Sequence, residues 1–338
     1  MRRHFCIWAT FTVALAASAT IAWADRDDDD ADCSVTSISV TPPHLGQVAA
    51  AASGNTVFRV DAATGAVTKV SGSGARVSTN SALATVVVSC GTKSGCDRQN
   101  INIKIGNIGT PSGRLGSLSN FTVAMGSATL VGSVSGTNPI SFTIGPLGKH
   151  SSATFYIGMD MTVGGNDSGG ATGNATSAFY VYVAPQGHTP ISGLTNQATA
   201  TVFRPISVTK SSDLNFGTIV RPGSGSGTVT IDADTGVRSF AGGVLATPNN
   251  AASRAGYVVS GEGGQAFSIT VPPSIVMTKG ASSLTVTTTA THTGSQVLSS
   301  AIGSAGGYGF GVGGSFPVTS TTATGTYTGS FTVTVNYN

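Results

Sequence analysis

The chain has 338 residues, a formal net charge of +3, 9% charged and 40% hydrophobic residues, and 46 glycines. Charge this sparse, with no basic patch, argues against nucleic acid as a partner, and the hydrophobic share argues against an intrinsically disordered chain. The abundance of Gly, Ser, Thr and Val is typical of short strands joined by tight turns. At roughly 150 residues per domain, the length predicts two domains.

The N-terminus has the pattern of an export signal. Arg2 and Arg3 precede an apolar run over residues 5–21, and Ala22-Trp23-Ala24 follows as a small-x-small cleavage site. This order predicts a secretory signal peptide over residues 1–24, with an uncleaved anchor as the alternative. No later segment reaches transmembrane length. We therefore expect no membrane span after cleavage and an exported protein in the periplasm, on the cell surface or outside the cell.

Residues 25–32 contain six Asp around one Arg and one Ala. Such a run is typical of a solvated, disordered acidic tail. Calcium binding is the alternative, but the run lacks the turn-forming Gly and the ligand spacing of a calcium loop. We expect no metal site and no cofactor.

The cysteines predict one disulfide in an exported chain. Cys6 leaves with the signal peptide, and Cys90 and Cys96 bracket a turn-like Gly-Thr-Lys-Ser-Gly. A Cys90–Cys96 bridge would close a small hairpin tip, and Cys33–Cys90 is the competing pair. A zinc site is remote because no His lies at ligand spacing.

Two halves of the chain repeat one another in the same order. The turn at residues 61–65 reads DAATG and the turn at 232–236 reads DADTG. Each half closes on an alternating segment, FYVYV at 179–183 and FTVTV at 331–335. Repeated matches in one order indicate an internal duplication.

Periodicity within each half is two, which is typical of strands. Phe331, Val333, Val335 and Tyr337 alternate with polar residues, and residues 101–105 behave alike. Strands at this spacing predict an all-β fold of two tandem immunoglobulin-like β-sandwich domains arising from the duplication.

The predicted domains occupy residues 33–184 and 198–338, with a linker at 185–197, where Pro and Gly interrupt the pattern. A subsidiary prediction is that residues 198–202 pair with the first domain and stiffen the junction.

The closing segment of the second half resembles that of chaperone–usher pilins. Gly325 is the fourteenth residue from the end, Tyr337 is the penultimate one, and alternating residues lie between them. In that family, this strand borders a groove left by a missing strand, which a periplasmic chaperone binds first and a neighbouring subunit fills later. The resemblance implies a pilin-like sandwich whose partners are a periplasmic chaperone or like subunits. The implied assembly strand comprises Gly325, Tyr327, Phe331, Val333, Val335 and Tyr337.

Residues 198–338 also resemble the bacterial domain-of-unknown-function family 4402. The match rests on Leu214-Asn215-Phe216-Gly217 and on the Gly-x-Tyr-x-Gly-x-Phe pattern from Gly325 to Phe331. The first half more faintly resembles spore-coat-U-type secreted domains, whose two Cys fall on Cys33 and Cys90.

Two departures from the pilin pattern stand out. The second half has no Cys, and the acidic N-terminus has no alternating donor strand. An ordinary last strand of a complete sandwich therefore remains an alternative for the closing segment.

Catalytic motifs are absent from the sequence. Glu262 is the only Glu, the four His residues beyond the signal peptide are scattered, and neither Gly-x-Ser-x-Gly nor His-Glu-x-x-His occurs. We expect a non-enzymatic surface or structural subunit, pilus-like or adhesive, such as a two-domain tip subunit whose second domain anchors it. The alternative is a soluble periplasmic or secreted binding module with complete sandwiches and ligand contacts in loops such as residues 164–173.

Overall fold

The computed structural model describes residues 35–92, 97–186, 193–247 and 251–338. The predicted signal peptide, the acidic tail, Cys33 and Cys96 lie outside these ranges. Residues 35–203 form strands β1 (Val35–Thr41), β2 (His44–Ala49), β3 (Thr56–Val60), β4 (Val67–Ser71), β5 (Ala75–Arg76), β6 (Ala84–Cys90), β7 (Ile101–Ser112), β8 (Ser119–Met125), β9 (Leu130–Ser135), β10 (Ile140–Ile144), β11 (Ser152–Val163), β12 (Gly173–Pro185) and β13 (Gly193–Phe203). A short 3-10 helix, Asn166–Ser168, lies between β11 and β12.

Residues 207–337 form strands β14 (Ser207–Ser212), β15 (Ile219–Val220), β16 (Ser226–Ile231), β17 (Arg238–Gly242), β18 (Leu245–Ala246), β19 (Ala255–Glu262), β20 (Ala266–Thr270), β21 (Ser274–Lys279), β22 (Ser282–Ala290), β23 (Gly294–Val297), β24 (Ala305–Thr319) and β25 (Thr334–Tyr337). The all-β prediction is confirmed. In the described ranges, no helix has the length and apolarity needed to cross a bilayer.

The first half is a two-sheet sandwich. One sheet has the order β1-β6-β11-β3-β4, with β8 also on β11, and the other has the order β5-β2-β13-β12-β7-β10-β9. Alternating residues of each strand face the core, as β6 illustrates with every second side chain buried. Phe142 and Phe155 meet edge-to-face across the two sheets at 5.3 Å. Burying one such side chain contributes about 1.5–3 kcal/mol relative to its exposed state.

Strand β13 corrects the expected domain boundary. It pairs antiparallel with β12 and parallel with β2, and Ala198, Ala200 and Val202 are at most 2% exposed in the first core. Residues 193–203 thus form a strand of the first sandwich, whereas the expected division placed a linker over 185–197 and the start of the second domain at 198. The predicted pairing of residues 198–202 with the first domain is confirmed. Gly and Pro locate a break in pattern, but they do not say which sheet receives the strand that follows.

The second half repeats one sheet of the first. Its order is β14-β19-β24-β16-β17, so β14, β19, β24, β16 and β17 stand where β1, β6, β11, β3 and β4 stand. Strand β22 joins β24 and carries β21. The facing strands form two smaller sheets, β23-β20-β25 and β15-β18. Contacts such as Phe216 with Phe316, at 4.8 Å between ring centroids, close the core.

The repeated turns have the same hydrogen bonds in both halves. Asp61 Oδ1 accepts hydrogen bonds from the backbone N–H and the hydroxyl of Thr64, at 2.9 and 2.7 Å. Asp232 Oδ1 accepts the same pair from Thr235, at 2.7 and 2.8 Å. Each turn ends at a Gly with positive φ, 67° and 74°. Shared strand order and shared turn geometry are what a duplication predicts, and the common origin itself remains an inference.

Candidate strand-docking groove

The two halves differ by one strand. In the first half, β13 lies between β2 and β12. In the second half, β15 corresponds to β2 and the segment ending in β25 corresponds to β12, since Gly173 and Gly325 each precede an alternating Phe by six residues. Within the described residues, no strand lies between β15 and β25. The second sandwich is therefore open where the first is closed.

A groove of about 740 Å³ occupies this opening. Residues 214–219 form one wall and residues 322–327 the other, and Met277, Phe316 and Val318 contribute apolar side chains to the lining. These two walls correspond to the two strands that β13 joins in the first half. The groove thus has the position and the flanking backbone of a missing strand.

A second cavity of about 320 Å³ lies along the same segment. It is lined by residues 327–331 together with Tyr257, Ile275 and Met277, and it shares Leu214 and Phe216 with the larger groove. The closing segment therefore runs beside open space before β25 begins.

Apolar side chains of the closing segment are incompletely covered. Phe179, Val181 and Val183 of β12 are at most 1% exposed. Their counterparts Phe331, Val333 and Val335 pack against the second core but are only half-buried. Because the two sets occupy corresponding positions, the difference in burial follows from the lack of a strand corresponding to β13 in the described second half.

The backbone of the closing segment is also poorly paired. Residues 173–182 pair continuously with β13. In the corresponding segment of the second half, residues 325–333, the described structure has one ladder contact. It is a bridge between Thr328 and Thr278, with N···O distances of 2.8 and 3.1 Å. Unpaired strand backbone is the group that an added strand satisfies.

Gly325 occupies a backbone conformation that favours glycine. Its φ is 134°, and a Cβ there would lie 2.6 Å from the Lys279 side chain. The Lys279 ammonium donates a hydrogen bond to the Thr324 carbonyl on the same wall. Glycine therefore allows the chain to turn into the groove wall at this point.

The predicted assembly residues separate into two groups. Gly325 and Tyr327 line the groove, and Phe331 lines the second cavity. Val335 and Tyr337 belong to β25 and lie opposite Ile269 and Phe267 of β20, as do ordinary sheet residues. Val333 lies just before β25 and packs against the same core.

Tyr337 also reaches the junction between the halves. Its hydroxyl accepts a hydrogen bond from the Glu262 N–H at 2.7 Å and donates one to the Arg204 carbonyl at 2.9 Å. Its ring lies 5.7 Å from that of Phe203, the last residue of β13. Burial raises the pKa of Tyr337, so the hydroxyl stays protonated as a donor. The penultimate Tyr thus fixes the end of the chain to the junction.

Glu262 is buried at the junction between the two halves. Its side chain is 0% exposed, and its carboxylate pairs with the Arg204 guanidinium at 2.9 Å. The hydroxyl of Thr172, in the first half, donates to it at 3.1 Å. Its status as the only Glu was visible in the sequence, but its position at the end of β19 against the first half was not.

Cys90 is buried at the end of β6, opposite Val35. Both of its predicted partners, Cys33 and Cys96, lie outside the described residues. The choice between the two disulfides stays a prediction.

Comparison with known proteins supports the family resemblance of the second half. Residues 206–337 match the family model described as Domain of unknown function (DUF4402), which confirms the predicted resemblance. The match begins three residues after β13 ends. No curated protein sequence matches the chain.

Two solved structures are similar to this chain, with low sequence identities and low TM-scores. One is the chaperone–tip adhesin complex described as vital for synergistic activation of CFA/I fimbriae biogenesis, with 10% identity over 88% of this chain and 97% of that chain and a TM-score of 0.23. The other is a bacterial adhesin from Mobiluncus mulieris with intramolecular disulfide, isopeptide and ester cross-links, with 9% identity over 67% and 88% of the two chains and a TM-score of 0.21.

Proposed function

We propose that the protein is an exported, non-enzymatic surface or structural subunit, pilus-like or adhesive, whose second domain is completed by an extended strand from another chain. The observation that carries this proposal is the open position between β15 and β25, where the first half holds β13. The groove of about 740 Å³ supports the proposal because it offers apolar contacts, and so does the backbone of residues 325–333, where Thr328 makes the one ladder bridge in the described structure.

The half-buried side chains of the closing segment support the same proposal. A strand lying beside them would complete the burial that Phe179 and Val181 already have in the first half. Each apolar side chain that changes from half-buried to buried stabilises the complex by about 1 kcal/mol of binding free energy. Such a site would recruit a periplasmic chaperone or a like subunit by its sheet edge and would need no catalytic group.

Heat-sensitive assembly tests the proposal. The sheared surface fraction of expressing cells is compared unheated and boiled on a denaturing gel and blotted for this protein. A ladder that collapses to one band on boiling supports assembly through strand docking. A single band in both lanes, recovered from the periplasm, overturns it.

A matched pair of variants locates the effect. Val333→Asp places a charge on the half-buried face of the closing segment, and Thr332→Asp places the same charge on the exposed face. We expect the ladder to be lost with Val333→Asp and kept with Thr332→Asp. Circular dichroism checks that both variants remain folded, and equal ladders from the two folded variants would contradict the assignment.

A second candidate function has its own observation. Tyr180 and Tyr182 stack at 4.3 Å on the outer face of β12, and Tyr182 borders a shallow groove of about 360 Å³. Its remaining polar lining comprises Asn102, Lys104, Ser133, Ser135, Ser141 and Thr143. Aromatic faces stack on the C–H faces of sugar rings, and amides and hydroxyls bond sugar hydroxyls. The lining of this groove therefore supports carbohydrate binding as the second candidate function.

An array of defined oligosaccharides tests the second candidate. Binding by the purified chain that is lost with Tyr182→Ala and kept with Thr195→Ala, an exposed position on β13, would support it. Binding to none of the oligosaccharides, or equal binding by both variants, would exclude this groove as the site.

A further inference from the structure

The first half contains its own example of the strand that the second half lacks. The inward residues Ala198, Ala200 and Val202 of β13 lie opposite Ser177, Ala175 and Gly173 of β12. All three are at most 2% exposed. They belong to the same core cluster as large side chains such as Leu45 and Phe179. The sequence of β13 is thus a template for a strand at this position of the sandwich.

The corresponding wall of the second half carries a different set of side chains. In the first half, Gly173 pairs with Val202 and Ala175 pairs with Ala200. When Gly173 is aligned with Gly325, Tyr327 falls on Ala175, so an added strand would place its Val202 position opposite Gly325 and its Ala200 position opposite Tyr327. Tyr327 is far larger than Ala175 and lines the groove. On the other wall, Phe216 stands where the first half has Leu45. At these two aligned positions, the second half therefore carries larger side chains than the first half does beside β13.

We propose that the groove takes an extended segment of another chain that runs antiparallel to the closing strand, with a small residue opposite Tyr327 and a larger apolar residue opposite Gly325. This proposal rests on the proposed function and names the chemistry of its partner. The occupant alternates small apolar with polar residues, as β13 does over Ala198–Val202. Tyr327 sets the register and excludes bulky central side chains.

The register rule follows from sheet geometry. Side chains directly opposite each other in antiparallel strands have Cβ atoms about 4.5–5.5 Å apart, so a bulky residue opposite Tyr327 would overlap its ring. A shift of one residue would turn the apolar side chains of the occupant outward. A shift of two in one direction would place the larger residue opposite Tyr327, and a shift of two in the other direction would move that residue away from Gly325. The sizes of the residues opposite Tyr327 and Gly325 therefore together select one register among those that bury the apolar face.

A fluorescent peptide with the sequence of residues 193–203, GLTNQATATVF, is the probe. Its binding to the full chain is measured by fluorescence anisotropy. Two altered peptides accompany it: Ala200→Phe changes the inward position expected opposite Tyr327, and Thr201→Phe makes the same change on the outward face. We expect the first change to weaken binding at least tenfold, because overpacking a filled site is unfavourable, and the second to change it less than threefold.

A compensating variant of the protein locates the site. Tyr327→Ala opens the centre of the groove, so it should restore binding of the Ala200→Phe peptide to within about threefold of the unaltered peptide. This rescue distinguishes the groove from exchange with β13 in the first half, which Tyr327 does not touch. Absence of peptide binding, equal weakening by both peptide changes, or failure of the rescue overturns the proposal.

The outcomes separate this inference from the proposed function. A heat-sensitive ladder without binding of the peptide would overturn the size rule and leave strand-docked assembly standing. Peptide binding with the expected rescue, but without a ladder in the surface fraction, would support the size rule. It would overturn the proposal that the groove serves assembly on the cell surface.

Discussion

The buried ion pair at the junction gives the most quantitative prediction. The Glu262 carboxylate accepts hydrogen bonds from the Thr172 hydroxyl at 3.1 Å and from the Arg204 backbone and guanidinium at 3.1 and 2.9 Å, and the Gly303 N–H also donates to it. Glu262→Gln preserves the shape but leaves one acceptor oxygen. In either orientation, the new amide N–H₂ faces two donors. Loss of the charge and of two hydrogen bonds in a fully buried site should lower the unfolding free energy by about 3 kcal/mol.

Urea unfolding followed by far-UV circular dichroism measures this loss. Tryptophan fluorescence is unsuitable because Trp8 and Trp23 both lie in the predicted signal peptide. With a urea slope of roughly 1–3 kcal/mol per M, the midpoint should fall by at least about 1 M. Asp213→Asn is the matched control, since the Lys210–Asp213 pair is mostly exposed and should contribute at most about 0.5 kcal/mol. Equal midpoints for the two variants would refute the assignment of Glu262 as the residue that joins the halves.

Two further predictions concern a charge and a turn. Burial would raise the pKa of Asp160, but hydrogen bonds from Arg59 and Asn120 outweigh it and lower that pKa. The pair therefore stabilises the fold above about pH 4 and loses this effect as pH falls through the folded pKa, so acid titration of Arg59→Met should show a smaller loss of stability. Gly325→Ala should lower the unfolding free energy by about 1–2 kcal/mol because φ is 134°, whereas Gly223→Ala, in open space, should change thermal unfolding little.

The sequence was informative where the physics is local. Alternation of apolar and polar residues predicted strands such as β25, because side chains on a strand alternate between faces. The repeated Asp-x-x-Thr-Gly turns were equally visible, since an Asx turn uses its own side chain and a glycine with positive φ. These features depend on a few neighbouring residues.

Features that depend on distant partners were not predictable in the same way. The alternating residues of β13 predict a strand, but only tertiary packing decides that it joins β2 and β12. Burial of Glu262 likewise depends on Thr172, ninety positions away in the chain. The pattern of the closing segment predicted an apolar face. Whether another strand covers that face depends on residues outside the segment, so the pattern alone does not predict it.

The presence of β13 in one half and the opening in the other bear on how many partners the chain can take. Every strand of the sheet containing β13 is engaged in the first sandwich, and β13 continues directly into Arg204, whose guanidinium is held by Glu262. Releasing β13 to another molecule would expose the apolar face that Ala200 and Val202 cover and would break the junction. Within the described residues, accepting one strand at the second half therefore costs less free energy than releasing β13.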